Sequence, residues 1–151
     1  MRAVVDSSSW ISLARAGLLE ILQAASVEPV LVDVVRAEIV DEGRQGGHPD
    51  AAALSAAVAG VASTSTGARA TADARVLEAA QAIGLLVAND LALGRRARSL
   101  GVAWIRTADL ILIAVKNGSV SMLDGGRALS ALVASGRVTP ELADAYREQL
   151  R

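Results

Sequence analysis

The chain has 151 residues, a formal charge of -1 and no cysteine. That length suits one domain able to bury a core without a staple, and the missing cysteines exclude disulfides, thiolate metal sites and a cysteine nucleophile. A charge so near zero gives no global basic field, so any contact with nucleic acid must come from a local patch.

In chain order, Ala3 to Val5 reads as a short buried strand that stops at Asp6 and a run of serines. A helix follows through Trp10 and Ala14 to Gly17, with a second short helix over Leu18 to Leu22. Pro29 leads into the strand Val30 to Val32, and Asp33 is placed to cap a helix over Val34 to Val40. Residues 41–50, Gly-rich and polar, read as the clearest loop. Then come a helix over about Asp50 to Ala59, a weak strand near Val61 to Thr64, and a strong helix opened by Thr71 and closed by Gly84. Leu85 to Val87 is a buried strand stopped by Asn89 and Asp90; a helix runs on to Leu100, and Val102 to Ile105 is a further strand. From about Asp109 the pattern is helical, punctuated by Gly118, Gly136 and the start signal Thr139-Pro140-Glu141.

Short apolar strands alternating with amphipathic helices predict an α/β fold, a three-layer α/β/α sandwich around a mostly parallel sheet of about five strands. One domain spans 1–151, with a helical C-terminal extension over about 109–151. The longest strongly apolar run, Leu110 to Val115, is far short of the ~18–20 residues that cross a bilayer. The N-terminus is not patterned as a secretory signal. A cytoplasmic protein with no membrane contact is therefore expected.

Sites in such sheets lie outside the carboxyl ends of the strands. Asp6 stands just past the first strand and Asp90 just past the fourth. At about 100° per residue, Glu38 falls between Val34 and Val35, and Asp73 shares the stripe of Val76, Leu77 and Ala80, so both acids are expected to turn inward. Clustered carboxylates raise one another's pKa unless a cation neutralises them. Mg²⁺ or Mn²⁺, hard and oxygen-seeking, is the natural partner, and beside a phosphodiester it activates water. Each acid also has a local explanation: Asp6 as a turn residue, Asp90 as a helix cap, Asp73 as a first-turn acid favoured by the helix dipole, and Glu38 as an ordinary surface acid.

These segments resemble the PIN-domain family, in particular its small stand-alone prokaryotic members and VapC-like toxins. The carriers are VVDSSSWISLARAG, VVRAEIV, DARVLEAAQAIG and LLVAND, in that order, with the tail TADLILIAVKNGSV. The resemblance implies a ribonuclease that cleaves single-stranded RNA with Mg²⁺ or Mn²⁺ and leaves a 5′-phosphate and a 3′-hydroxyl. It places Asp6, Glu38, Asp73 and Asp90 in the catalytic cluster, Asp6 and Asp90 on the metal, and Ser8 and Asn89 behind those two carboxylates as hydrogen-bonding supports. It also implies the toxin of a type II toxin–antitoxin pair, with a small antitoxin as partner and a homodimer as assembly. Two positions depart from the family pattern: Ala88, where Ser or Thr is usual, and Asp109, where Gly is common.

Arg95, Arg96 and Arg98 form the densest basic run. Arg95, Arg96 and Arg106 are the candidates for RNA phosphates, although a solvated helix face explains the run as well. His48 is expected to be an inert loop residue and Trp10 a core residue. A catalytically weak PIN fold kept for protein binding is the alternative. Phosphoryl transfer of the haloacid-dehalogenase type would want a second Asp where Ser8 stands, and the receiver type a phosphorylatable Asp where the chain has Ser63 to Thr66.

Overall fold

The computed structural model describes residues 1–46, 51–59, 61, 63–64 and 71–151. These form β1 (Arg2–Val5), α1 (Ser7–Arg15), α2 (Ile21–Ala24), β2 (Glu28–Val32), α3 (Asp33–Gly46), α4 (Ala51–Ala59), β3 (Ser63–Thr64), α5 (Ala72–Ile83), β4 (Leu85–Val87), α6 (Leu91–Ser99), β5 (Ala103–Ile105), α7 (Thr107–Lys116), α8 (Met122–Ala134) and α9 (Pro140–Leu150). The five strands make one sheet in the order β3-β2-β1-β4-β5, every pair parallel. Helices flank the sheet, as the alternation of strand and helix signals predicts.

The central strands are apolar because they are covered. Ala3, Val4, Val5, Leu31, Val32, Leu86 and Val87 have no exposed surface, as expected of a parallel sheet with both faces packed. Helix boundaries follow their caps. Thr71 accepts the Ala74 N–H at the start of α5, and Gly84 ends it in the left-handed conformation at φ 98°. Thr139 caps α9, with Pro140 in its first turn.

Two local expectations change. The loop expected over 41–50 is helical as far as Gly46, because Glu42, Arg44 and Gln45 are good helix formers and an interior glycine costs only about 1 kcal/mol. Residues 47–50, His48 among them, lie outside the described residues, as do 65 and 66 of the segment compared with receiver domains. Asp33 is inside the first turn of α3, where its Oδ1 accepts the Val34 N–H at 2.8 Å. No helix among the described residues is long and apolar enough to cross a membrane.

The chain order runs outward from β1 through β2 to β3, then returns to place β4 on the other side of β1. The order of strand addition therefore reverses between β1 and β4. A crevice opens at such a switch point, outside the carboxyl ends of the two strands.

Candidate active site

Asp6 and Asp90 end the two strands that border the crevice. Asp6 follows β1 and continues the ladder by donating its N–H to the Val87 carbonyl at 3.1 Å. Its side chain caps α1: Oδ1 accepts the Ser9 N–H at 2.9 Å, and Oδ2 accepts the Ser8 hydroxyl at 3.0 Å. Ser9 and Ser12 behind it are fully buried, with hydroxyls donated to the Val87 and Ser8 carbonyls. Asp6 is itself only 7% exposed. Burial pushes its carboxyl above the ordinary aspartate range; the hydrogen bonds from Ser9 and Ser8 pull it back, and the negative charge of Asp90 adds a further push upward.

Asp90 is the matching cap of α6, its Oδ1 accepting the Leu93 N–H at 3.0 Å, but it is exposed. At both positions the acid that the sequence singles out is also the cap of the helix that follows. The capping geometry engages one oxygen of each carboxylate, and the negative charge of Asp90 is felt at Asp6.

Glu38 and Asp73 do not turn into the core: both are exposed. On α3 the buried stripe is centred on Val35 and Ile39, which leaves Glu38 at its edge, where the Ser7 hydroxyl donates to its Oε2 at 2.5 Å. Ser7 is the residue after Asp6, so this bond ties α3 to the first loop. Asp73 is in the first turn of α5. That helix leads into β4, and its N-terminus therefore lies towards the carboxyl edge of the parallel sheet, where Asp73 emerges into solvent. Among the described residues, no three acidic or histidine side chains are close enough together to form a metal-holding group.

Asn89 does not support Asp90. Its Oδ1 accepts from the backbone N–H and the hydroxyl of Thr107, at 3.0 and 3.1 Å, joining the loop after β4 to the start of α7. The backbone donor fixes which way the amide faces, so Nδ2 is left buried without a hydrogen-bond partner. Ala88 is fully buried, and its backbone rather than its side chain is engaged: N–H to the Ile105 carbonyl at 3.0 Å, carbonyl to the Trp104 indole N–H at 2.8 Å.

Asp109, the other departure from the family pattern, locks the β5–α7 turn. Its Oδ2 accepts the Arg106 N–H at 2.8 Å, and its Oδ1 accepts the Tyr146 hydroxyl at 2.9 Å. Sequence patterning passed over Trp104, Thr107 and Tyr146, whose partners are 16 to 37 residues away and leave no periodic trace. The basic run divides. Arg95 and Arg98 line a cavity with Arg106, whereas Arg96 faces Glu78 and Gln81 across the α5–α6 groove. Trp10, as expected, is in the core.

The chain matches the family model described as DUF3368, a PIN domain, over residues 2–150. None of the curated proteins matches it. Among solved structures it is similar to a PilT N-terminus domain protein from the hyperthermophilic archaeon Sulfolobus solfataricus P2. That likeness has a TM-score of 0.53 and 20% identity, covering 77% of this chain and 95% of the other.

Proposed function

Because this chain belongs to the PIN-domain family, whose fold is of the nuclease type, we propose that it is a metal-dependent ribonuclease acting on single-stranded RNA. A fold alone does not assign an activity. The observation that carries the proposal is the pair Asp6–Asp90: two carboxylates at the switch point, one of them buried and pushed towards protonation partly by the other. A divalent cation relieves that repulsion, and the donor set suits one. Mg²⁺ and Mn²⁺ take hard oxygen ligands, and Mg²⁺ characteristically keeps several waters while binding one or two carboxylates. Asp6 and Asp90 would hold it; bound there, it supplies Lewis-acid stabilisation of the phosphate and lowers the pKa of water.

Ser8 and Ser9 orient the Asp6 carboxylate, and Ser7 holds Glu38 facing the same loop. Glu38, and Asp73 at the rim, are the carboxylates to receive a proton from the attacking water. The water oxygen bonds to phosphorus, the bond to the 3′-oxygen breaks, and that oxygen takes a proton from solvent, leaving a 5′-phosphate and a 3′-hydroxyl.

The test is cleavage of a mixed single-stranded RNA pool by wild type and Asp6→Asn, with Mn²⁺, with Mg²⁺ and with EDTA. Cleavage should require both metal and Asp6, and the variant should fall by at least about two orders of magnitude. Metal-independent cleavage, or equal rates for the two proteins, would overturn the assignment. A second reading, a PIN fold kept for protein binding, draws on the absent hydroxyl at Ala88; no cleavage and no heat of metal binding by calorimetry would favour it. As a toxin the protein would take a small antitoxin and pair with itself. The open apolar groove between α2, β2 and α4, where Leu19, Pro29, Ala53 and Ala56 reach the surface, is the place for a partner helix in that reading.

A further inference from the structure

Beside Asp90 lies a second feature, built from other chemistry. A cavity of about 360 Å³ opens between α6, β5, α7 and α9, lined by Arg95, Arg98, Trp104, Arg106, Asp109 and Tyr146. Leu91, the residue after Asp90, borders it as well, so the cavity reaches the N-terminal end of α6, the helix that Asp90 caps.

The guanidinium carbons of Arg98 and Arg106 each stand 5.1 Å from the centroid of the Trp104 ring, within cation–π range. The ring they share is itself fixed. Its N–H is donated to the Ala88 carbonyl, and it packs so closely on Gly94 that a Cβ there would come within 2.0 Å of the indole. The indole is thus a mount for cations rather than a platform open to a base. Three guanidiniums meet only one carboxylate in the cavity, and that carboxylate, Asp109, has one oxygen on the Arg106 N–H and the other on Tyr146. Among the described residues none of the three arginines forms an ion pair. In a chain with a net charge of -1, this is a local, prearranged excess of positive charge, three guanidiniums against the single carboxylate of Asp109.

We propose that this cavity is a phosphate-binding subsite for the substrate strand: the arginines at the Trp104 ring clamp a backbone phosphate next to the one that is cut. Planar, stacked guanidiniums lose little freedom on binding and match phosphate oxygens two at a time. Their contact is with backbone rather than base, so it gives affinity and register without sequence preference. The identity of the strand rests on the ribonuclease assignment above; the anion chemistry of the cavity does not.

The experiment measures binding without cleavage. A short fluorescein-labelled single-stranded RNA is titrated in EDTA at several salt concentrations, and anisotropy is read for wild type, Arg98→Gln, Arg106→Gln, Arg106→Lys and the remote control Arg127→Gln, with circular dichroism to confirm folding. Each Gln variant should weaken binding several-fold and flatten the salt dependence by about 0.7 in log–log slope, one phosphate's share for a single strand. Arg106→Lys should recover the slope but not the full affinity, because the charge returns without the fork. Wild-type affinity and slope in Arg98→Gln and Arg106→Gln, no binding by wild type, or equal weakening by Arg127→Gln would each overturn the subsite. Displacement of the RNA by polyglutamate as readily as by unlabelled RNA would instead assign the cavity to an acidic protein segment, and would overturn it too. Cleavage with Mn²⁺, scored in parallel, separates the two proposals: a protein that binds through the arginines but never cleaves loses the nuclease assignment alone.

Discussion

Asp6 and Asp90 end neighbouring parallel strands and cap the helices that follow, yet their loops are held in opposite ways. Around Asp6 most of the supports are local: Ser8 and Ser9 bond the carboxylate, and Ser12 bonds back to Ser8. Around Asp90 the supports come from far along the chain. Asn89 reaches Thr107, Ala88 receives Trp104, Gly94 makes room for that indole, and Asp109 receives Tyr146. At the first loop the Asp6 carboxylate is buried and bonded by its sequence neighbours. The second stays open, shaped by β5, α7 and α9, and this leaves space for a basic cavity beside an acidic site.

The sharpest way to break the second arrangement is Gly94→Ala. In most helix interiors this change stabilises by up to about 1 kcal/mol. Here the new Cβ would sit 2.0 Å from an indole that is already hydrogen-bonded in place, so overpacking should win, with a net loss of roughly 1–3 kcal/mol. The melting temperature should fall by about 2–4 °C for each kcal/mol, and RNA binding should weaken as the Trp104 mount shifts. A melting temperature at or above wild type would show that the ring yields freely and that long-range packing does not hold this loop.

The same contrast explains what could be read in the sequence. Asp6 and Asp90 were legible because a strand that ends in an acid and turns into a helix is a local signal, and parallel topology then brings such ends to one edge. The bond from Ser8 to Asp6 was implied by the family resemblance, not by the local pattern. Glu38 and Asp73 were found but misplaced: a periodicity argument gives an angle on the helix, not where the neighbouring element stops covering it. For Asn89 the resemblance pointed to Asp90, whereas its partner is Thr107, 18 residues away, which nothing near it in sequence announces. The two departures from the family pattern were unreadable until their partners were known. Ala88 acts through its backbone, and Asp109 joins a turn to a tyrosine 37 residues away.

The local loop predicts a smaller effect with an opposite sign. Asn caps a helix about as well as Asp, so Asp6→Asn keeps a side-chain oxygen for the Ser9 N–H while removing a carboxylate that burial disfavours. Without metal the variant should melt at or slightly above the wild-type temperature, with a gain of about 2–4 °C if relief amounts to ~1 kcal/mol. Asp90→Asn, exposed and equally able to cap, should change little. Mn²⁺ should then reverse the order. Wild type gains stability in proportion to its occupancy, about 2.7 kcal/mol at a hundredfold excess over Kd, and both variants lose most of that gain. A destabilised Asp6→Asn would mean that the carboxylate serves the fold rather than the site.

The smallest effect belongs to the far end of the second loop and is read at alkaline pH. Burial, then the charge of Asp109 and the hydrogen bond to it, hold the Tyr146 hydroxyl well above its ordinary pKa, with Arg106 opposing them. A group whose pKa is raised on folding binds its proton more tightly in the native state. Its contribution is complete below the unfolded value of about 10 and is lost as pH climbs beyond it. Wild type should therefore lose stability above pH ~10. Tyr146→Phe should remove that component at the cost of about 1 kcal/mol at neutral pH for the lost hydrogen bond. Asp109→Gly should only soften it, because burial, the largest cause, remains. If Asp109→Gly flattened the alkaline limb as completely as Tyr146→Phe, the tie between α7 and α9 would be electrostatic. A partial effect would show that packing around Tyr146 shapes this side of the cavity, with Asp109 choosing the partner.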